Sequence, residues 1–300
     1  MNINNYGFMF NDIIIENENF IKKSKNLLGK KKINNEIRFY KYIIDNNIEL
    51  SIPKLLHHDD GILILEFIKK SSTLTTMINE TNIIDYYKTI NNKLEKLHNN
   101  KITITQDTLY NDLEIEIITK NFNRFKEYNW NENDFLKKIV SVNNIKIKDI
   151  EYYSNIILNK LKQYLNDRTY YNLIHGDTHL GNILVDESRI YFIDPRGYFG
   201  NTELYGLYEY DYAKFMFGLS GYSIFDNLHI DKLIIINNNL EIEFIQKYEY
   251  IFESKMFDNI TKLVCLSIWL GNNSCFIDVN KKITSLMIAY YYCEKYIDKF

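Results

Sequence analysis

Proline is nearly absent: Pro53 and Pro195 are the only two in 300 residues. Alanine occurs only at Ala213 and Ala289, glycine numbers 11 and cysteine 3. With so few breaking residues, no run is loop-like enough to mark a flexible linker. The cysteines, Cys265, Cys275 and Cys293, are odd in number and lack Cys-x-x-Cys spacing. That argues against a disulfide framework or a zinc site and fits a reducing, cytoplasmic setting. The first residues, Met1 to Asn5, do not pair a basic segment with an apolar run, so no signal peptide is expected. No apolar run approaches the length of a transmembrane helix, so membrane insertion is not expected. A formal net charge of -3 gives no electrostatic reason to expect a nucleic-acid partner.

Asn, Ile, Lys and Tyr fill the space instead. This skew reads as AT-rich coding bias more than physical selection, so the 25 tyrosines do not by themselves mark an aromatic binding site. The Asn runs at 34–35 and 237–239 read as turns. The length suits one large or two modest domains.

One stretch organises the rest. Leu173-Ile174-His175-Gly176-Asp177-Thr178-His179-Leu180-Gly181-Asn182-Ile183-Leu184-Val185 reads as strand, polar loop, strand. After a turn at Asp186-Glu187-Ser188, Ile190-Tyr191-Phe192-Ile193-Asp194 reads as a second strand ending on an acid. Asp177 and Asn182 stand as Asp-x-x-x-x-Asn, and Asp194 follows. Phosphoryl transfer needs such a set: one carboxylate to take a hydroxyl proton, and a few hard oxygens to hold Mg²⁺ against phosphates. Gly-Asp-x-His also resembles a metallophosphoesterase fragment. A metallohydrolase, with His175, Asp177 and His179 as ligand-type side chains, is therefore an alternative.

His-Gly-Asp-x-His-x-Gly-Asn followed by Ile-Asp resembles the aminoglycoside phosphotransferase and choline kinase superfamily, a branch of the protein-kinase-like fold. The resemblance implies an α+β, two-lobed fold. A small β-sheet N-lobe would span residues 1–68, and a larger, mainly helical C-lobe residues 69–300. It implies ATP as donor, with GTP not excluded, and Mg²⁺. Asp177 would be the catalytic base, Asn182 and Asp194 the metal ligands, and His175 a brace for the loop. Gly176 and Gly181 would allow backbone shapes that a Cβ forbids.

Upstream, Asp12–Glu16 and Phe20–Lys23 read as a hairpin. In the family this region covers the nucleotide and carries a phosphate-contacting Lys. The preceding loop has only Gly7, far short of Gly-x-Gly-x-x-Gly. Lys22 is the favoured Lys, with Lys23 and Lys25 as rivals. Residues 35–44 read as a helix capped by Asn34 or Asn35, with Glu36 early in it. The resemblance pairs Glu36 with the Lys. Gly61–Ile68 reads as a strand ending in a hinge, where Glu66, Phe67 and Ile68 would present backbone groups to the base. Helices are expected at 83–97, 109–126, 133–141, 149–166, 240–254, 258–271 and 280–298. His98 reads as a packing residue.

Residues 197–206 read as a loop. Asp211 opens a helix and is expected mainly to hold the catalytic loop. Arg196, a permanent cation beyond Asp194, could grip an anion or form a salt bridge. The Asp-Pro-Arg-Gly turn and Tyr-Asp-Tyr-Ala-Lys resemble phosphotransferase-like proteins of capsule and surface-glycan synthesis. The expected reaction is phosphorylation of a small-molecule hydroxyl, with a sugar or sugar-like alcohol first. Choline, ethanolamine or an aminoglycoside is the alternative acceptor, and a catalytically inactive kinase-like binding module the alternative role. Oligomeric state is not readable.

Overall fold

The computed structural model describes residues 10–127, 130, 136–187 and 189–300. Gly7 and its loop, and Ser188, lie outside the described residues. Two compact units form: Met1–Thr103 with Tyr170–Asp211, and Ile104–Thr169 with Tyr212–Phe300.

The first unit opens with an antiparallel hairpin, β1 (Asn11–Glu16) and β2 (Asn19–Ser24), in which Asn11 faces Ser24. The turn residues Asn17 and Glu18 are left-handed at φ 49° and 66°, the backbone that matches the twist of a two-residue hairpin. Helix α1 (Leu27–Asp45) follows, then β3 (Leu55–Asp59) and β4 (Ile62–Glu66). The sheet order is β1-β2-β4-β3. Ile33, Ile37 and Tyr40 of α1 pack on Leu63 and Leu65 of β4 to make the core of this sheet.

Helix α1 starts well before the predicted residue 35. Its cap is Asn26, whose side chain accepts from Gly29 N–H at 2.8 Å, and Asn34 and Asn35 lie inside the helix rather than in a turn. The apolar period that sequence reading depends on begins only at Ile33. The preceding Lys30-Lys31-Lys32 are good helix formers that bury little. Glu36 therefore sits mid-helix, away from the N-terminal dipole.

Helix α2 (Ile83–His98) buries Ile83, Ile90, Leu94 and Leu97 along the expected stripe and ends against Asn99. Two three-stranded sheets follow. Tyr170–Leu173 lies between Lys101–Thr103 and Tyr205–Gly206, and Ile183–Asp186 between Arg189–Phe192 and Ser72–Thr73. The predicted loop at 197–206 instead holds the short pair Tyr198–Phe199 and Thr202–Glu203, followed by Tyr205–Gly206.

The second unit is mainly helical. Gln106–Glu114, a π-helical turn at Ile115–Thr119 and Lys120–Lys126 run on from one another. Ile150–Tyr164, Asn259–Leu270 and Val279–Tyr296 are capped by Asp149, Asp258 and Asp278. Trp269, Tyr292 and Tyr296 are fully buried in its core.

Two predicted helices are corrected. In the described part of 133–141 only a 3-10 turn forms, at Leu136–Lys138, and Ser141–Val142 is a strand beside Asn239–Leu240. Residues 240–254 break into a strand end, a 3-10 turn (Glu243–Tyr248) and four helical residues (Tyr250–Glu253). Asn143-Asn144 and Asn237-Asn238 explain both, because each pair is left-handed and turns a hairpin. No helix of the described residues is long and apolar enough to cross a membrane.

Candidate active site

Strand alternation decides which lysine turns inward. Lys22 shares a face of β2 with Phe20, which packs against the sheet core, whereas Lys23 points outward and is exposed. Lys25 pairs with Asp12 at 3.0 Å near the surface. The Lys22 ammonium is buried and donates to both oxygens of Glu36, at 2.8 and 2.9 Å, and to Asp194 Oδ1. Burial disfavours this ammonium, but Asp194 and Glu36 more than offset it and hold the Lys22 pKa above its ordinary value. Burial pushes the Glu36 carboxyl up to about 7, against the pull of Lys22.

Backbone hydrogen bonds fasten the Asp194 segment to the polar loop on both sides. Ile193 N–H donates to Asn182 C=O at 3.0 Å, and Arg196 N–H and Gly197 N–H donate to His175 C=O at 2.8 and 3.0 Å. Inside the loop, the Asn182 side-chain amide donates to Asp177 C=O at 2.9 Å, and Asp177 N–H donates to His175 Nδ1 at 3.2 Å. Asp177, Asn182 and Asp194 are thus carried on segments held directly against each other. Gly176 has φ +81°, and a Cβ there would come within 3.0 Å of Arg196 Cβ, so glycine is required. Gly181 is not left-handed; a Cβ would instead meet the His179 ring at 2.9 Å.

Asp211 is the anchor. It is fully buried, and its carboxylate accepts from Gly176 N–H at 2.6 Å and His175 N–H at 3.0 Å. The same carboxylate meets His98 Nε2 at 2.9 Å, and its backbone carbonyl accepts from the Thr178 hydroxyl. His98, read from sequence as packing, is therefore part of the loop's support, and Thr178 was not singled out at all. A Leu-His pair at a helix end was the available signal for His98. Nothing in the sequence marks the backbone donors.

His175 is fully buried between Phe39 and Phe192, with ring centroids 5.7 and 5.9 Å away. Burial lowers its pKa despite nearby Asp211, so the imidazole is neutral and its Nδ1 can accept. The unfolded chain takes up this proton more readily. Its contribution to stability is complete above the unfolded pKa of about 6.5 and declines as pH falls below it. Thermal unfolding at stepped pH should show the loss, and His175→Asn should remove that part of the slope.

Arg196 lies with its Cζ 3.9 Å from the Tyr198 ring centroid and donates to the Tyr210 hydroxyl at 2.6 Å. At the end of β4, Glu66 N–H is used by Lys54 C=O and Phe67 N–H by Glu18 C=O, each at 2.9 Å. Ile68 is buried, and its carbonyl accepts from the Ser71 hydroxyl. The histidines do not assemble a metallohydrolase centre: His175 Nδ1 serves Asp177 N–H, and His179 Nδ1 serves Gly181 N–H. Among the described residues no group of three or more His, Cys, Asp or Glu side chains could hold a metal.

This architecture, a small antiparallel sheet with one helix followed by a mainly helical part, is the two-lobed protein-kinase-like fold. Among solved structures, the GDP complex of aminoglycoside 2'-phosphotransferase-IIIa superposes with a TM-score of 0.55 at 13% identity, covering 95% of this chain and 90% of that one. The streptomycin–ATP ternary complex of APH(2")-IIa gives 0.52 at 16% identity, with 93% and 87% covered. Glucosamine kinase in complex with glucosamine, ADP and inorganic phosphate gives 0.52 at 10% identity, with 97% and 79% covered. No protein-family model matches the sequence, and no curated protein matches it.

Proposed function

We propose that this protein is an ATP-dependent phosphotransferase that moves the γ-phosphoryl group to a hydroxyl of a small molecule. The observation that carries the reading is the buried Lys22–Glu36 pair, joined to a half-exposed Asp194 whose segment is held by backbone bonds against the loop that bears Asp177 and Asn182.

Each side chain then has one task. Asp177 accepts the proton of the acceptor hydroxyl as its oxygen attacks phosphorus. Lys22, aimed by Glu36, neutralises phosphate oxygens of the donor. Asn182 and Asp194 offer an amide oxygen and a carboxylate, a hard donor set that fits Mg²⁺ and leaves room for its waters. When bound, Mg²⁺ would supply charge neutralisation on the phosphates. The Glu66 and Phe67 N–H groups are already used within the protein, so the base would meet the remaining main-chain groups of Glu66, Phe67 and Ile68, and a division into lobes at residues 68 and 69 fits these tasks. His175, Asp211, His98 and Thr178 keep the loop in one shape, so that little reorganisation is needed during reaction. Arg196, stacked on Tyr198, keeps the turn after Asp194 in place.

The acceptor we favour is a sugar or sugar-like alcohol, from surface-glycan metabolism, with the enzyme in the cytoplasm. Support for a sugar class comes from fold relatives solved in complex with gentamicin, streptomycin or glucosamine. Both ATP and GDP occur among them, so GTP remains a second donor to assay. The test is ADP release with Mg·ATP across sugars, amino sugars and amino alcohols. Turnover with at least one sugar-class hydroxyl is expected. Nucleotide binding without turnover on any acceptor would instead make the chain a binding module.

A further inference from the structure

Tyr40 lies one turn after Glu36 on α1, so the two side chains share a helix face. It is fully buried, and its hydroxyl has no hydrogen-bond partner among the described residues. Buried hydroxyls are almost always partnered, and an orphan is a standing cost. The ring packs with Ile33, Ile37, Leu63 and Leu65, and Leu63 is the cross-strand partner of Lys22. The orphan therefore borders the layer that buries the Lys22–Glu36 pair. Burial, and after it the negative charges of Glu36 and Asp194, push its pKa well above the ordinary value. The group stays an O–H donor.

The ammonium of Lys22 has three N–H bonds. Two go to the two oxygens of Glu36 and one to Asp194. A phosphate oxygen that takes one N–H from Glu36 leaves a buried carboxylate oxygen without its donor. That is costly for a charged acceptor. We propose that Tyr40 is a positioning residue: its hydroxyl donates to the Glu36 oxygen released when Lys22 engages a nucleotide phosphate. This rests on the phosphotransferase reading of the same site. No covalent bond changes and no proton is transferred; one hydrogen bond is exchanged for another. Glu36 then keeps its orientation with one oxygen on Lys22 and one on Tyr40, and does not pull the ammonium back from phosphate.

The role has a signature that ordinary packing lacks. Without nucleotide the hydroxyl is surplus, and with nucleotide it is used. Tyr40→Phe should therefore act with opposite sign in the two states. The experiment compares thermal unfolding of full-length wild type and Tyr40→Phe, alone and with ADP and Mg²⁺, together with titrations of ADP affinity. The nucleotide-free variant should unfold at the wild-type temperature or above it. Its ADP affinity should fall about tenfold, as should KM-based affinity for ATP, with kcat nearly unchanged. Unchanged nucleotide affinity overturns the inference, and so does a nucleotide-free variant less stable than wild type. Wild type that neither binds nor is stabilised by ADP overturns the phosphotransferase reading, and this inference falls with it.

Discussion

Asp177→Asn should lower kcat by about 10²- to 10⁴-fold while leaving the KM for ATP within about twofold. The substitution keeps the size of the side chain and removes its basicity. It should not disturb the loop, because the loop's shape is fixed through the backbone of this residue. Asp177 N–H goes to His175 Nδ1, and its carbonyl receives the Asn182 amide. Steady-state ADP release on the best acceptor checks the prediction. A variant with wild-type kcat would take the base role away from Asp177. Equal losses in kcat and nucleotide affinity would point to a distorted loop rather than to lost proton transfer.

Asp211→Ala should cost about 3 kcal/mol or more of stability and abolish measurable turnover. The carboxylate receives two consecutive backbone N–H groups, those of His175 and Gly176, and also meets His98. Removing it strands these donors in a place that water does not reach. Asp211→Asn should be milder in stability, since one oxygen remains to accept, but its NH₂ must face a donor. Thermal or urea unfolding reads the first effect and kcat the second. An alanine variant that melts within about 2 °C of wild type would show that the loop does not depend on this anchor.

The contrast between these two residues explains what could be read from sequence. That the segments bearing Asp177, Asn182 and Asp194 come together was legible, because a tight loop and the hairpin after it carry them at fixed spacing. The α+β class followed from the resemblance carried by the loop motif, and the order of hairpin, helix and strand from turn residues and periodicity. The start of α1 was not, because Asn26 caps a lysine-rich turn whose apolar period has yet to begin. Nor were the breaks at 133–141 and 240–254, where left-handed Asn pairs turn chains that otherwise have helical composition. The support of the loop was half hidden for another reason. Asp211 was visible as a letter, but the N–H groups it binds belong to every residue and leave no mark. Parity alone does not separate Lys22 from Lys23, since Phe20 and Ile21 are both apolar; the packing of Phe20 on the sheet core decides it.

Asp194 has φ +56°, in the left-handed region where most side chains crowd their own backbone. Aspartate and asparagine tolerate it better than other non-glycine residues. The alphabet open to this position is therefore narrow even before chemistry is considered. A diverged copy of the chain released from selection for turnover should drift here to Asn or Gly, and only rarely to Ala or Val. The turn can thus outlive the reaction: a lineage that has lost its activity would still carry a near-intact signature at this corner, and sequence scans would mistake the fossil for the enzyme.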